Sequence, residues 1–328
     1  MILIRPVLRA NKDRQHKVHV VVFFIVLVAN VGGVLTPLGD PPLFVGFLHG
    51  VDFLWTLQNL WLQTVIVVGW LLVLFFAFDL VLFRREQAAG STVSGPSTIG
   101  VRGEINIPLM ALIIAAILLS ALWKPGLRVS IVGTHIELQN AARDIALVGI
   151  ALLSLWLTPD EHRSANGFTW EPIREVAKLF AGIFVAIAPV LAMLQVGRSG
   201  PFAAVLTAVT ANDGLPHEAA YFWLTGILSA FLDNAPTYLV FFELAGGNAA
   251  HLMGPLAGTL AAISMGAVFM GALTYIGNAP NLMVYAVAQD SGVKMPSFFT
   301  YLFYTSLILM PLFLLLTLLP IAPILKLG

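Results

Sequence analysis

Two stretches of this chain repeat one pattern of helix breakers inside apolar sequence. Residues 33–45 read G-V-L-T-P-L-G-D-P-P-L-F-V, and residues 271–283 read G-A-L-T-Y-I-G-N-A-P-N-L-M. At a constant offset of 238 residues they share Gly33/Gly271, Leu35/Leu273, Thr36/Thr274, Gly39/Gly277 and Pro42/Pro280, while Asp40 aligns with Asn278. In a lipid bilayer, backbone released from a helix is tolerated only where it lines a cavity or is buried in protein. Interruptions at matching places in two halves therefore point to a transporter's binding site.

Composition supports a membrane setting. Apolar residues make up 59% of the chain and charged ones 10%, with a mean hydropathy of +0.90. A soluble domain carries about 25% charged residues. The absence of cysteine excludes disulfides and thiolate metal sites. Zero net charge gives no reason to expect nucleic acid as a partner. The seven histidines show no ligand spacing. No signal-peptide pattern follows Met1.

Segments long enough to span, about 20 apolar residues, were sought along the chain. Val18–Ala29 runs apolar, breaks through Asn30–Pro42 and resumes as Leu43–Leu48. Phe53–Leu60 reads as interfacial, with Trp55 and Trp61 as belt aromatics, and Leu62–Phe83 as a span. Arg84–Asn106 reads as a polar loop and Ile107–Trp123 as a short span. Lys124–Asn140 has no assignable pattern. Ile145–Leu157 continues a helix from near Asn140, Pro159–Gly167 is a loop, and Ile173–Leu194 spans. Pro201–Ala211 reads as a surface helix. Ala219–Ala245 is apolar but broken at Asp233–Pro236. Gly254–Gly271 spans, breaks at Thr274–Pro280 and resumes to Ala288; Phe298–Leu319 spans and reads as plain lipid and helix packing.

The bias of basic residues tests this map. With the N-terminal end cytoplasmic, twelve of the seventeen Lys and Arg fall on that side and five on the other. That count requires Ala219–Ala245 to enter and leave on the same side, as a re-entrant hairpin turning at Asp233–Pro236. The alternative is an ordinary kinked span. The offset also places the first-half counterpart of Asp233 before Met1, so the expectation is a chain truncated at its N-terminus; unequal repeats are the other reading.

The segments A-N-V-G-G-V-L-T-P-L-G-D-P-P-L-F (29–44), F-L-D-N-A-P-T (231–237) and T-Y-I-G-N-A-P-N (274–281) resemble the ArsB/NhaD ion-transporter superfamily, most closely its sodium:proton antiporter-like members with a citrate-transporter-like domain. The resemblance covers essentially the whole chain. It implies an all-α polytopic membrane protein, built as an inverted repeat with broken helices and re-entrant hairpins, with substrate and ions held where hairpin tips meet unwound segments. On that scheme residues 1–83 are the remainder of the first repeat, 84–106 a cytoplasmic linker, and 107–328 the second repeat. The implied location is a bacterial inner membrane. The chain departs from the family in lacking the first hairpin tip. Members exchange Na⁺ and H⁺, export arsenite, or take up di- and tricarboxylates.

The residues narrow that choice. Carboxylates in a membrane interior are costly and usually functional. Asp40 lies in the first break and Asp233 at the hairpin tip. Two acids favour a hard cation with oxygen ligands and a titratable proton carrier. The expected proton- and cation-binding set is Asp40, Asp233, Thr36, Asn234, Thr237, Thr274, Asn278 and Asn281, with Na⁺ as the metal ion. Gly39, Gly277, Pro42 and Pro280 shape the breaks, the glycines by supplying backbone conformations that other residues disfavour. The function expected is Na⁺/H⁺ antiport by alternating access, with carboxylate or oxyanion transport as the alternative. No cofactor is implied beyond the transported Na⁺ and H⁺. The partners are the bilayer and small ions, and a homodimer is compatible with this reading. Duller roles stay open: Asp40 and Asp233 as helix caps, Thr36 and Thr274 bonding the preceding helical turn, and Glu137, Asp144 and Glu243 as interfacial or paired charges. An intramembrane aspartyl protease would leave the second break unexplained, and a non-transporting subunit is a further rival.

Overall fold

The computed structural model describes residues 3–88, 103–131, 134–165, 169–211 and 214–318. In chain order the helices are α1 (Ile4–Ala10), α2 (Val18–Leu27), α3 (Pro41–Leu48), α4 (Trp55–Ala88) and α5 (Asn106–Leu122). A two-stranded hairpin, β1 (Arg128–Ile131) and β2 (Thr134–Glu137), leads into α6 (Leu138–Leu157), α7 (Asp160–Ala165), α8 (Glu171–Gln195) and α9 (Ala203–Ala208). Then follow α10 (Glu218–Phe231), α11 (Asn234–Leu244), α12 (Ala249–Met253), α13 (Ala257–Met270), α14 (Ala279–Asp290) and α15 (Phe298–Leu318). Three of these are long and apolar enough to cross a membrane: Trp55–Glu86, Leu138–Leu157 and Phe298–Leu318. The chain is a multi-pass membrane protein whose described residues are mostly helical, with one two-stranded hairpin.

The chain divides into two compact units, residues 1–96 with 179–328, and residues 97–178. The larger unit is built around α13, whose residues Gly258 to Met270 are all buried. Small side chains make this possible, since lipid supplies no hydrophobic drive and close backbone approach must hold helices together. A Cβ on Gly266 would lie 2.6 Å from the Phe222 carbonyl oxygen of α10. Helices α10 and α11 are separated by Leu232 and Asp233 and fold back on each other. The Tyr221 and Phe241 rings, twenty residues apart in sequence, stand 6.2 Å apart edge to face. One continuous helix would separate them by about 30 Å. Helix α3 crosses α11 closely enough that a Cβ on Gly46 would meet the Tyr238 hydroxyl oxygen at 2.4 Å.

A charged cluster ties the start of α2 to the end of α4. Arg14 Nη1 lies 2.5 Å from Asp79 Oδ1, His19 Nε2 2.8 Å from the same oxygen, and the His16 backbone N–H donates to Glu86 at 2.6 Å. In the smaller unit, α5 and α6 are joined by polar contacts, Ser154 Oγ donating to Asn106 Oδ1 at 2.7 Å and Asn106 Nδ2 to Thr158 Oγ1 at 3.0 Å. The apolar outer faces of both helices, Leu122 and Trp156 among them, are exposed, as suits lipid.

Several expectations are corrected here. The interfacial segment Phe53–Leu60 and the span Leu62–Phe83 are one helix of 34 residues, because Gln58 and Asn59 are tolerated in a helix and no breaker separates the two. The unassigned stretch Lys124–Asn140 contains the β-hairpin, where Arg128 pairs with Glu137 and Val129 with Ile136. The loop at Pro159–Gly167 contains the short helix α7, whose first turn carries Asp160 and Glu161 against the helix dipole. The surface helix at Pro201–Ala211 shrinks to α9. The linker expected over 84–106 falls largely on residues 89–102, outside the described residues, and α4 runs on to Ala88.

Candidate functional site

Both sequence interruptions are breaks in the backbone, and they are built alike. After α2 the chain makes a single 3₁₀ turn at Val31–Gly33 and re-enters helix at Pro41; after α13 it makes one at Gly271–Leu273 and re-enters at Ala279. The residues preceding re-entry, Asp40 and Asn278, adopt nearly the same extended conformation, with φ/ψ of −150°/141° and −154°/131°. The glycines serve a different purpose from the one expected. Neither Gly39 nor Gly277 has a positive φ. Each is needed because two strands of backbone touch: a Cβ on Gly39 would sit 2.4 Å from the Gly33 carbonyl oxygen, and one on Gly277 2.5 Å from that of Gly271. Pro42 and Pro280 lie in the first turns of α3 and α14, where no intrahelical N–H is lost.

The two breaks meet. Asp40 is 3% exposed. Asn234, the first residue of α11, directs its Nδ2 at both Asp40 oxygens, 3.1 Å from each. Asn278 Nδ2 approaches Asp40 Oδ1 at 3.3 Å. The carbonyl oxygens of these two amides, Asn234 Oδ1 and Asn278 Oδ1, are buried without a hydrogen-bond partner. Buried amides are normally satisfied, so two amides that donate to one carboxylate and leave their oxygens orphaned stand out; carboxylate and amide oxygens are the ligand types a hard cation takes. Among the described residues no group of three or more His, Cys, Asp or Glu is placed to hold a metal ion.

The two aspartates have separate roles. Asp40 precedes α3 but makes no side-chain cap: Pro41 and Pro42 have no N–H to donate, and the Leu43 N–H donates to the Asp40 main-chain carbonyl instead. Asp233 does cap: it accepts from the Ala235 N–H at 3.1 Å. Its carboxylate also lies near the start of α14 at Ala279 and near Asp40. The threonines turn away from the carboxylates. Thr237 Oγ1 donates to the Asp233 carbonyl at 3.0 Å. Thr274 donates to the Ala230 carbonyl of α10, not to the helical turn before it, and accepts from the N–H groups of Ile276 and Gly277. Thr36 is half-buried, and its hydroxyl makes no hydrogen bond among the described residues. Asn281 supports the second break, donating to the Gly271 and Thr274 carbonyls at 2.9 Å each.

Sequence reasoning missed four residues. Asn30, fully buried, connects the first break to Asn278 and Asn281. Ser229 of α10 donates to the Ala267 carbonyl at 2.6 Å. Tyr301 and Thr305 of α15 donate to the carbonyls of Ala272 and Leu273 at 3.1 and 2.7 Å. The segment read as plain packing is therefore a support for the second break. Tyr275 of that break stacks between Tyr301, with ring centroids 4.0 Å apart, and Tyr285.

A family model described as "Putative citrate transport" matches residues 1–321. The chain belongs to this citrate-transport family. No curated protein and no solved structure matches it. For a citrate-transport family member the two touching breaks are the natural place for solute and ions to bind. Membership also points to transport rather than catalysis.

Proposed function

We propose that this protein is a secondary active transporter that carries a di- or tricarboxylate such as citrate by alternating access, with Na⁺ or H⁺ as the coupling ion. The observation that carries the reading is the buried Asp40 carboxylate beside two unpartnered amide oxygens. A half-helix N-terminus ordinarily offers N–H groups to an anion. Here α3 begins with two prolines, and Asp233 occupies the N–H of Ala235. Among the described residues no Arg or Lys acts on Asp40 or Asp233. A bare tricarboxylate would meet a carboxylate with nothing to offset the repulsion. The site is suited instead to an anion that arrives with, or after, a cation held by Asp40, Asn234 Oδ1 and Asn278 Oδ1. On this reading α10 and α11 form a re-entrant hairpin, the two breaks are related by an inverted repeat, and the membrane is a bacterial inner membrane.

A second reading, Na⁺/H⁺ antiport without an organic substrate, draws on the nearness of Asp233 to Asp40, since two acids can carry a cation and a proton in turn. One experiment separates the two. The full chain is reconstituted in liposomes, and labelled citrate uptake is followed under an imposed Na⁺ or pH gradient. Citrate accumulation that requires the cation is the expected result. Collapse of a pH gradient by Na⁺ alone, with no citrate uptake under any gradient, overturns it in favour of antiport.

A further inference from the structure

The oxygen that Asn278 presents at the proposed cation site is not free to be a nitrogen. Three amides form a chain whose polarity is fixed by backbone carbonyls, which can only accept. Asn281 Nδ2 donates to the carbonyls of Gly271 and Thr274, both at 2.9 Å, so its Oδ1 must face Asn30. Asn30 Nδ2 donates to that Oδ1 at 2.7 Å and to the Ile25 carbonyl at 2.8 Å, which spends both of its hydrogens. Asn30 Oδ1 is thereby turned to Asn278, whose Nδ2 lies 3.1 Å from it, 3.1 Å from the Ala29 carbonyl and 3.3 Å from Asp40 Oδ1. The Asn278 carbonyl oxygen is left on the opposite side, buried and unpartnered.

We propose that Asn30 is a positioning residue for the charge preference of the site: together with the Ala29 carbonyl it holds the Asn278 amide nitrogen, which leaves the oxygen of that amide for a cation. With the amide reversed, Asn278 would present two N–H donors, and the same cavity would favour an anion. Asn30 is fully buried and stands outside the internal repeat. The offset that aligns Asp40 with Asn278 aligns Asn30 with Val268. The orientation is thus imposed by one half of the chain on the other. This inference rests on the cation reading of Asp40, Asn234 and Asn278.

The test uses the purified full chain in detergent. Its unfolding temperature is followed as NaCl replaces choline chloride at constant ionic strength. Binding to the native state raises that temperature by mass action, and the dependence gives an apparent Kd for Na⁺. In Asn30→Ala the apparent Kd is expected to rise at least tenfold. Asn30→Asp supplies a readout that a simple structural bridge would not move. Its carboxyl group still accepts from Asn278 Nδ2 but no longer offers the two N–H donors that Ile25 and Asn281 receive. It should therefore unfold at lower temperature yet bind Na⁺ with a Kd no higher than wild type. Asn30→Leu repeats the first measurement if Asn30→Ala does not fold. Asn30→Ala or Asn30→Leu binding Na⁺ with wild-type affinity would reduce Asn30 to a structural bridge and overturn the proposal. An Asn30→Asp Kd raised as far as that of Asn30→Ala or Asn30→Leu would overturn the polarity argument. A wild-type protein indifferent to NaCl would overturn the cation reading on which both stand.

Discussion

Asp40 and Asn278 hold equivalent positions in the two halves of the chain, and they touch: the amide nitrogen of one lies 3.3 Å from the carboxylate of the other. The pair is an acid in one copy and its neutral isostere in the next. On the proposed reading, the Asp40 carboxylate where the two breaks meet is the charge that holds a monovalent cation.

Replacing Asp40 with Asn removes that charge while keeping its volume. Na⁺-dependent stabilisation should disappear, and cation-driven uptake should fall at least a hundredfold, while membrane insertion is retained. Uptake assays and salt-dependent unfolding on the same preparation check this. Undiminished Na⁺ dependence would remove Asp40 from the site.

Asp233 separates capping from proton carriage. In Asp233→Asn the side-chain oxygen still accepts from Ala235, so stability should fall by less than about 1 kcal/mol; Asp233→Ala loses the cap and should cost roughly 1–2 kcal/mol. If Asp233 also carries the coupling proton, both variants lose proton-coupled movement equally. Coupling that tracks stability across the two would mark Asp233 as a cap alone.

Ala at Gly39 or Gly277 would drive a methyl group into backbone 2.4–2.5 Å away. Overpacking of this kind costs about 1–3 kcal/mol. Since the clash lies within the break itself, transport should be lost even in the folded fraction. Thermal unfolding combined with uptake per folded molecule measures the two effects separately.

Removing the Thr305 hydroxyl with Thr305→Val leaves the Leu273 carbonyl without its side-chain partner at constant volume. The expected cost is roughly 1–3 kcal/mol. Tyr301→Phe should do the same at Ala272. A double variant whose loss is smaller than the sum of the two would show that both act on one rigid segment.

The breaks were legible in the sequence because glycine, proline and small polar residues interrupt apolar runs at one fixed offset. The reversal at Asp233–Pro236 was visible for the same reason. Asn30 was not, because it ends an apolar run and its counterpart is Val268; only the fold brings it to Asn278. Tyr301 and Thr305 were hidden by their surroundings, since an aromatic-rich apolar helix looks the same whether its hydroxyls meet lipid or a buried carbonyl. The capping role of Asp40 was a fair inference from an acid ahead of a helix. It failed because the two prolines that mark the helix start remove the first two N–H groups, and the third, on Leu43, goes to the Asp40 main-chain carbonyl. The conformational role expected of Gly39 and Gly277 failed in kind, as sequence shows that small size is needed but not whether conformation or contact demands it.

Four successive carbonyls of the second break, from Gly271 to Thr274, are held by side chains of α14 and α15. In the first break, among the described residues, one side chain does comparable work: Thr56, which donates to the Leu35 carbonyl. The two segments share a sequence pattern but not a stiffness. In a working cycle the first should flex while the second stays put, as a latch moves against its strike plate. Amide hydrogen exchange would read this directly, with faster exchange over residues 31–40 than over 271–278. The repeated pattern would then survive in its letters and its turns, while its motion belongs to one copy.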